Sequence, residues 1–257
     1  MKETAPAPSK PADQGFEPSL EVAQLCLLSG ERLIADAEDA SIPTAIGLLE
    51  LGIEELAKGW MVYFECVRRL GLSMQTEIKE GRPASLRGAK GRMWALAALT
   101  RENLTRAQHK AVSDFFEKNE PLLANLPLVD AFKRHEVKLD FLSFLVRYLR
   151  MWIPIAVAAD LGSKNAAFSF GPPFKGASRA DGPTLKEVTD LLESLDEDRL
   201  RMLKNVKESA LYVNLTQDDT VAYPLGSEAI LQTLEGLAEL IHALLETELR
   251  ILLPLRE

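Results

Sequence analysis

The sequence is poor in cysteine and has no long uninterrupted apolar run. Only Cys26 and Cys66 occur among 257 residues, and neither has the Cys/His spacing of a metal site. Both lie among apolar residues, so we expect reduced core thiols. No run reaches the roughly 18 apolar residues of a membrane-spanning helix, and no signal-peptide pattern opens the chain. We therefore expect a cytoplasmic protein without membrane association, metal or cofactor.

Glycine is also scarce, and alternating Val/Ile-rich strands are missing. The chain has 15 glycines, and 47% of its residues are hydrophobic. Helical periodicity dominates and no internal repeat is present. These features predict an all-α fold, a helical bundle of long antiparallel helices. Residues 1–16, rich in proline and polar residues, should form a disordered leader, and residues 17–257 a single domain.

Acidic residues outnumber basic residues over the whole chain, but one segment has an excess of basic residues. The net charge of −8 argues against a surface that attracts nucleic acid or anionic lipid everywhere. The basic segment, Lys79 to Lys110, is the exception, and its first part has the glycines and proline of a loop inserted in the bundle. It could contact RNA phosphates or an acidic partner, although a solvated face is the ordinary interpretation. Its cations are Lys79, Arg82, Arg87, Lys90, Arg92, Arg101, Arg106 and Lys110.

Periodicity and breakers divide the chain into six helices. Val22, Leu25, Leu28 or Ser29, and Leu33 mark the buried side expected for the first helix. Pro121 and Pro127 should interrupt the helical pattern, and Pro154 should kink the fourth helix. An extended piece is expected at 211–215 and a loop at 162–183. The predicted helices cover 18–37, 41–71, 93–118, 129–160, 184–209 and 227–257.

The second of these helices carries charges in an almost wholly apolar surround. Ile46, Ile53 and Trp60 represent one apolar stripe, and further apolar residues cover much of the opposite side. Such a helix should be central to the bundle. Glu54 and Lys58 form an i, i+4 pair and Glu55 projects elsewhere, so at least one of the two carboxylates should meet a partner on another helix. A structural salt bridge is the alternative to a functional site.

His135 and Lys138 are expected on the core face of the fourth helix. Because both side chains would need partners there, we expect one polar cluster of Glu54, Glu55, Lys58, His135 and Lys138 between two helices. Histidine could transfer a proton and lysine could stabilise an anionic oxygen, which suits a phosphodiester-directed site. A satisfied core histidine is the alternative. His109 and His242, by contrast, should lie at the surface or its boundary.

These residues, with a later segment, carry a family resemblance. The pattern is Glu-Glu-x-x-Lys at 54–58, His-x-x-Lys at 135–138, and Lys-Glu-x-x-Leu-Tyr-Val at 207–213. In this order the three motifs resemble the AbiV family of bacterial abortive-infection proteins, which belongs to the HEPN-like all-helical superfamily. The resemblance spans roughly residues 20–240. Tyr212 itself is expected to close the bundle with its ring.

The resemblance implies defence against bacteriophage, in which an infected cell halts its metabolism or translation. It also implies homodimer formation, and RNA as a target. However, the superfamily's usual ribonuclease signature, an arginine four to six residues before a histidine, is absent before all three histidines. Ribonuclease activity therefore stays open. The alternative is a non-catalytic helical interaction module that binds a phage or ribosomal protein.

Overall fold

The protein is an all-helical bundle with one very short hairpin. A computed structural model describes residues 17–79, 104–161, 185–211, 214–215, 221–222 and 228–252. The leader, residues 80–103 of the basic segment and the expected loop at 162–183 lie outside this part of the chain. The elements are α1 (Leu20–Glu38), α2 (Ile42–Lys79), α3 (Arg106–Ala124), α4 (Leu128–Arg134), α5 (Leu139–Leu161), α6 (Leu185–Ser194), α7 (Glu197–Leu211), β1 (Asn214–Leu215), β2 (Val221–Ala222) and α8 (Glu228–Leu252).

Helix α2 lies at the centre of the bundle. From Ala45 to Arg68 every residue is buried or half-buried, and α1, α7 and α8 all pack along it. This confirms the central position predicted from its all-round apolar surface. The helix runs on to Lys79, beyond the predicted end at Gly71. A single internal glycine costs only about 1 kcal/mol, too little to end a well-packed helix.

Aromatic rings fill the space between α2 and α5. The Tyr148 ring of α5 lies 5.4 Å from the Trp60 ring and 5.1 Å from the Phe64 ring of α2. Phe64 also meets Phe144 edge-on at 5.3 Å and Phe116 of α3 at 6.1 Å. Each edge-to-face ring pair of this kind stabilises a fold by about 0.5–1.5 kcal/mol more than its buried area alone would. The rings thereby join α2, α3 and α5 into one core.

The buried face of α1 agrees only in part with the one predicted, since Val22, Ser29 and Leu33 are half-buried. Leu25 and Leu28 are 65% and 52% exposed, whereas Ala23, Cys26 and Gly30 are buried. Leu27 and Ile34 are buried on the same face. The small residues among them let α1 approach α2 closely, since a Cβ on Gly30 would lie 2.7 Å from Leu56 Cγ.

The predicted helix 129–160 is broken at 135–138. Helix α4 ends at Arg134, His135 has a φ of 53°, in the left-handed region, and α5 begins at Leu139. Val137, inside the break, is fully buried. Because Val137 keeps its place in the apolar pattern, periodicity alone gave no sign of the break.

Two further boundaries differ from the prediction. The helix expected at 184–209 is divided into α6 and α7, and Asp196 Oδ1 between them accepts a hydrogen bond from Arg199 N at 2.8 Å. Pro121 lies inside α3 and does not interrupt it. A proline in the last turn removes one hydrogen bond but leaves the preceding turns intact.

The remaining expectations for this region are met in part. Pro127 lies immediately before α4, so the helical pattern is interrupted there as predicted. Pro154, at which a kink was predicted, lies inside α5. In the expected extended piece, Leu211 is still helical, while Asn214 and Leu215 pair antiparallel with β2. Among the described helices, none is long and apolar enough to cross a membrane.

The α1–α2 contact gives a stability prediction. Gly30→Ala should lower the free energy of unfolding by about 1–2 kcal/mol, because overpacking outweighs the helix propensity gained. The crowded atoms are Leu56 Cγ, at a branch point, and the Gly52 carbonyl oxygen at 3.2 Å. Urea denaturation measures the change.

Gly236→Ala on α8 is the matched control. Among the described residues, the new methyl group would meet the end of the Leu191 side chain, Cδ2, at 3.2 Å, and no other atom within 4 Å. This variant should be neutral or more stable by up to about 1 kcal/mol. Equal destabilisation by the two substitutions would contradict a tight α1–α2 contact.

Candidate functional site

The Glu-Glu-x-x-Lys motif lies in the buried middle of α2. The side chain of Lys58 is only 2% exposed, and its Nζ donates to Glu55 Oε1 at 2.5 Å. Glu55 is 25% exposed, so the pair reaches solvent through its carboxylate. The expected pairing of Lys58 with Glu54 is therefore wrong, and Glu55 finds this partner within α2. Side-chain reach along one helix decided the pairing, and i, i+3 geometry serves as well as i, i+4.

Glu54 faces a different neighbourhood from that pair. It is 2% exposed, and with Glu50, one turn earlier, it lines a small cavity between α2, α5, α7 and α8. Leu145 and Leu203 stand among the apolar walls. The cavity volume of about 30 Å³ has room for a water molecule but not for a nucleotide. Glu54 therefore faces the interior of the bundle.

His135 and Lys138 lie elsewhere and are exposed. His135 follows the last residue of α4, and the backbone carbonyl of Lys138 accepts hydrogen bonds from Phe141 N and Leu142 N at the start of α5. The expectation that both side chains face the core is wrong, because the chain leaves the helix at 135–138. The five predicted residues thus do not form one buried cluster.

A buried carboxylate that sequence reasoning missed connects three helices. Glu248 of α8 has no exposure, and it accepts hydrogen bonds from Tyr63 Oη of α2 and Trp152 Nε1 of α5, each at 2.9 Å. The sequence did contain a sign of this buried carboxylate. Glu248 follows Leu244 and Leu245 at helical spacing, which places it on the apolar face of the last helix. A glutamate at such a position needs hydrogen-bond donors inside the protein.

A second buried acid lies further along α2. Glu65, 7% exposed, accepts hydrogen bonds from Arg68 Nε at 2.6 Å and Arg69 Nε at 2.8 Å. Burial alone would raise the pKa of Glu65, but the two guanidinium groups outweigh it and hold the pKa below its ordinary value. This charge is therefore compensated within α2.

His242 is buried, so its expected place at the surface boundary is wrong. It is 4% exposed, and its Nε2 lies 4.0 Å from Glu31 Oε2 of α1. Burial lowers the pKa of His242, an effect that the carboxylates of Glu31 and Glu246 oppose. His109 is half-buried, which confirms the boundary position predicted for it.

Both cysteines are free, as predicted. Cys26 is buried and Cys66 half-buried. Burial raises the pKa of the Cys26 thiol to about 12, with a further rise from Glu55 and an opposing effect from Lys58. A thiol with so high a pKa is a poor nucleophile at neutral pH.

The third motif and the basic segment are described only in part. Lys207, Glu208 and Leu211 belong to α7, while Tyr212 and Val213 lie outside the described residues. In the basic segment, α3 includes Arg106 and Lys110, and Lys110 forms an exposed ion pair with Asp114 at 2.7 Å. In the described ranges, no group of three or more His, Cys, Asp or Glu residues could hold a metal ion.

Comparison with known proteins gives no relative for this chain. No protein-family model, no curated protein and no solved structure matches it. The AbiV resemblance therefore depends on the three ordered motifs alone.

The Glu248 hydrogen bonds give a second prediction. Glu248→Ala should lower the free energy of unfolding by about 3 kcal/mol or more, because it removes the acceptor that the buried Tyr63 hydroxyl and Trp152 N–H share. Thermal and urea denaturation both measure the loss.

Glu246→Ala is the control, since Glu246 is more exposed and pairs with the exposed Arg250. A surface pair of this kind contributes at most about 1 kcal/mol. If Glu248→Ala were no more harmful than Glu246→Ala, the buried connection between the three helices would be refuted.

The buried His242 gives a pH prediction. Because its folded-state pKa is lowered, the unfolded chain binds the proton more tightly, and stability should decline as the pH falls below about 6.5, the pKa of an unfolded histidine. His242→Phe removes this contribution. Urea midpoints of the two proteins should run parallel above about pH 7.5 and diverge below it, with the wild type losing more stability. Parallel curves at all pH values would contradict the burial of a neutral imidazole.

Proposed function

We propose that this protein is an AbiV-like, HEPN-related abortive-infection protein that acts as a helical interaction module in bacteriophage defence. One observation argues against catalysis that uses the Glu-Glu-x-x-Lys motif together with His135: Lys58 is 2% exposed and held by Glu55, while His135 is exposed on the α4–α5 turn. A proton donor and a charge-stabilising lysine must both reach the same substrate atoms. The ordered motifs support the defence role, and the all-helical bundle agrees with the superfamily's fold class.

The exposed face of α1 supports association with another protein. Leu25 and Leu28 lie about one helical turn apart and are 65% and 52% exposed, while the opposite face of α1 packs on α2 and α8. Apolar side chains exposed side by side are typical of interaction surfaces. Two copies that join through α1 would cover these leucines, and we include such a homodimer in the proposal.

RNA binding is a second candidate function, and the α4–α5 turn favours it. Lys133, Arg134, His135 and Lys138 are all exposed on this short stretch of chain. Cations so arranged can contact phosphates. Here His135 would act at the surface, without Lys58.

Phage plating on bacteria that express the full chain tests the proposal. Wild type should protect, and His135→Ala should protect equally with an unchanged melting temperature. The double variant Leu25→Glu, Leu28→Glu should lose protection while remaining folded, because charged side chains prevent burial of that face. Light scattering of the same variant should show a smaller mass than that of the wild type.

A matched surface change, Gln24→Glu with Ala35→Glu at two other exposed positions, adds the same two negative charges to α1. It should keep both protection and assembly. RNA breakage in infected cells that His135→Ala abolishes would establish the RNA-directed function instead. If the wild type gives no protection against a broad phage panel, the defence role fails.

A further inference from the structure

A separate cleft opens on the other side of α5. It has a volume of about 580 Å³ and lies between α3, α5 and the turn that joins α6 to α7. None of the five predicted site residues lines it. Its volume is within the range of small-molecule sites, which is roughly 300–1,000 Å³.

Three cations line this cleft, and none of them has a carboxylate partner in the described part of the chain. They are Lys118 of α3 and Arg147 and Arg150 of α5. Four carboxylates line the same cleft, those of Asp140, Glu193, Asp196 and Glu197, yet within the described residues no ion pair joins them to these cations. Positive and negative side chains of the described residues therefore line the same cleft without forming ion pairs with each other.

Arg150 and Ser143 have unused hydrogen-bonding capacity at the base of the cleft. Arg150 Nη2 donates to the Leu192 carbonyl and, at 3.5 Å, to the Leu195 carbonyl. Arg150 Nε and Ser143 Oγ are buried and have no hydrogen-bond partner among the described residues. Because the two residues are about two turns apart on α5, they share one helical face. Buried donors without acceptors are unfavourable, and a ligand oxyanion would satisfy them after a small side-chain rotation.

We propose that this cleft binds a small molecule that carries a carboxylate or phosphate group together with an amine or hydroxyl groups. Arg150, Arg147 and Lys118 bind the oxyanion, and arginine's planar fork suits either group. Asp140 and Glu193 accept hydrogen bonds from the amine or hydroxyls. A long polyanion such as RNA is disfavoured because carboxylates outnumber cations along the cleft. The ligand would bind here whether or not the protein acts in phage defence.

Calorimetric titration of the full chain with inorganic phosphate, adenosine monophosphate and glutamate tests this site and separates phosphate from carboxylate recognition. At least one of the three should bind in a one-to-one ratio. Arg147→Ala and Lys118→Ala should each weaken that binding by about tenfold, as expected for the loss of one charge-assisted hydrogen bond. Arg150→Lys keeps the charge but loses the fork, and should weaken binding to a similar degree.

Arg199→Ala is the matched control, because Arg199 is exposed on α7 and does not line the cleft. It should bind like the wild type. The proposal is overturned if none of the three compounds binds, if the cleft variants bind as the wild type does, or if Arg199→Ala weakens binding equally. Binding of a short single-stranded RNA without binding of the small molecules would also overturn it.

Discussion

The constraint on which this fold depends is that the part of α2 from Ala45 to Arg68 is enclosed by other helices. No residue in this stretch is exposed, so its fully buried polar side chains must find their partners inside the protein. Tyr63 does so through Glu248 of α8, which also holds Trp152 of α5. The indole of Trp60 likewise donates from Nε1 to the Ile241 carbonyl of α8 at 3.3 Å. The carboxylate of Glu248 thus fixes how three helices sit relative to one another.

The charges of α2 are compensated locally where they can be. Lys58 pairs with Glu55 within one turn, and Glu65 pairs with Arg68 and Arg69. Removing one member of a buried ion pair typically costs about 3–5 kcal/mol. This local compensation accounts for the charges of Lys58 and Glu65 in the bundle centre without requiring an active site. Chemistry and recognition are then left to outer surfaces, such as the exposed face of α1, the α4–α5 turn and the cleft beside α5.

Periodicity predicted the central helix and the all-α class because both depend on patterns within single segments. It could not predict the break at His135, since Val137 continues the apolar pattern through it. It also missed Glu248 and His242, whose partners lie on helices far away in the sequence. Lys58 was assigned to Glu54 because helical spacing allows either neighbour, and the sequence does not show which carboxylate the side chain reaches. The other contacts that could not be predicted are those set by tertiary packing.

A double-mutant cycle between Tyr63→Phe and Glu248→Gln tests most directly whether α2 satisfies its polar groups through the surrounding helices. The unfolding free energies of the wild type, both single variants and the double variant are measured under one condition. A coupling energy of about 1–2 kcal/mol is expected, because the residues share a buried hydrogen bond. Additive effects, with a coupling energy below about 0.3 kcal/mol, would show that this bond does not join α2 to α8.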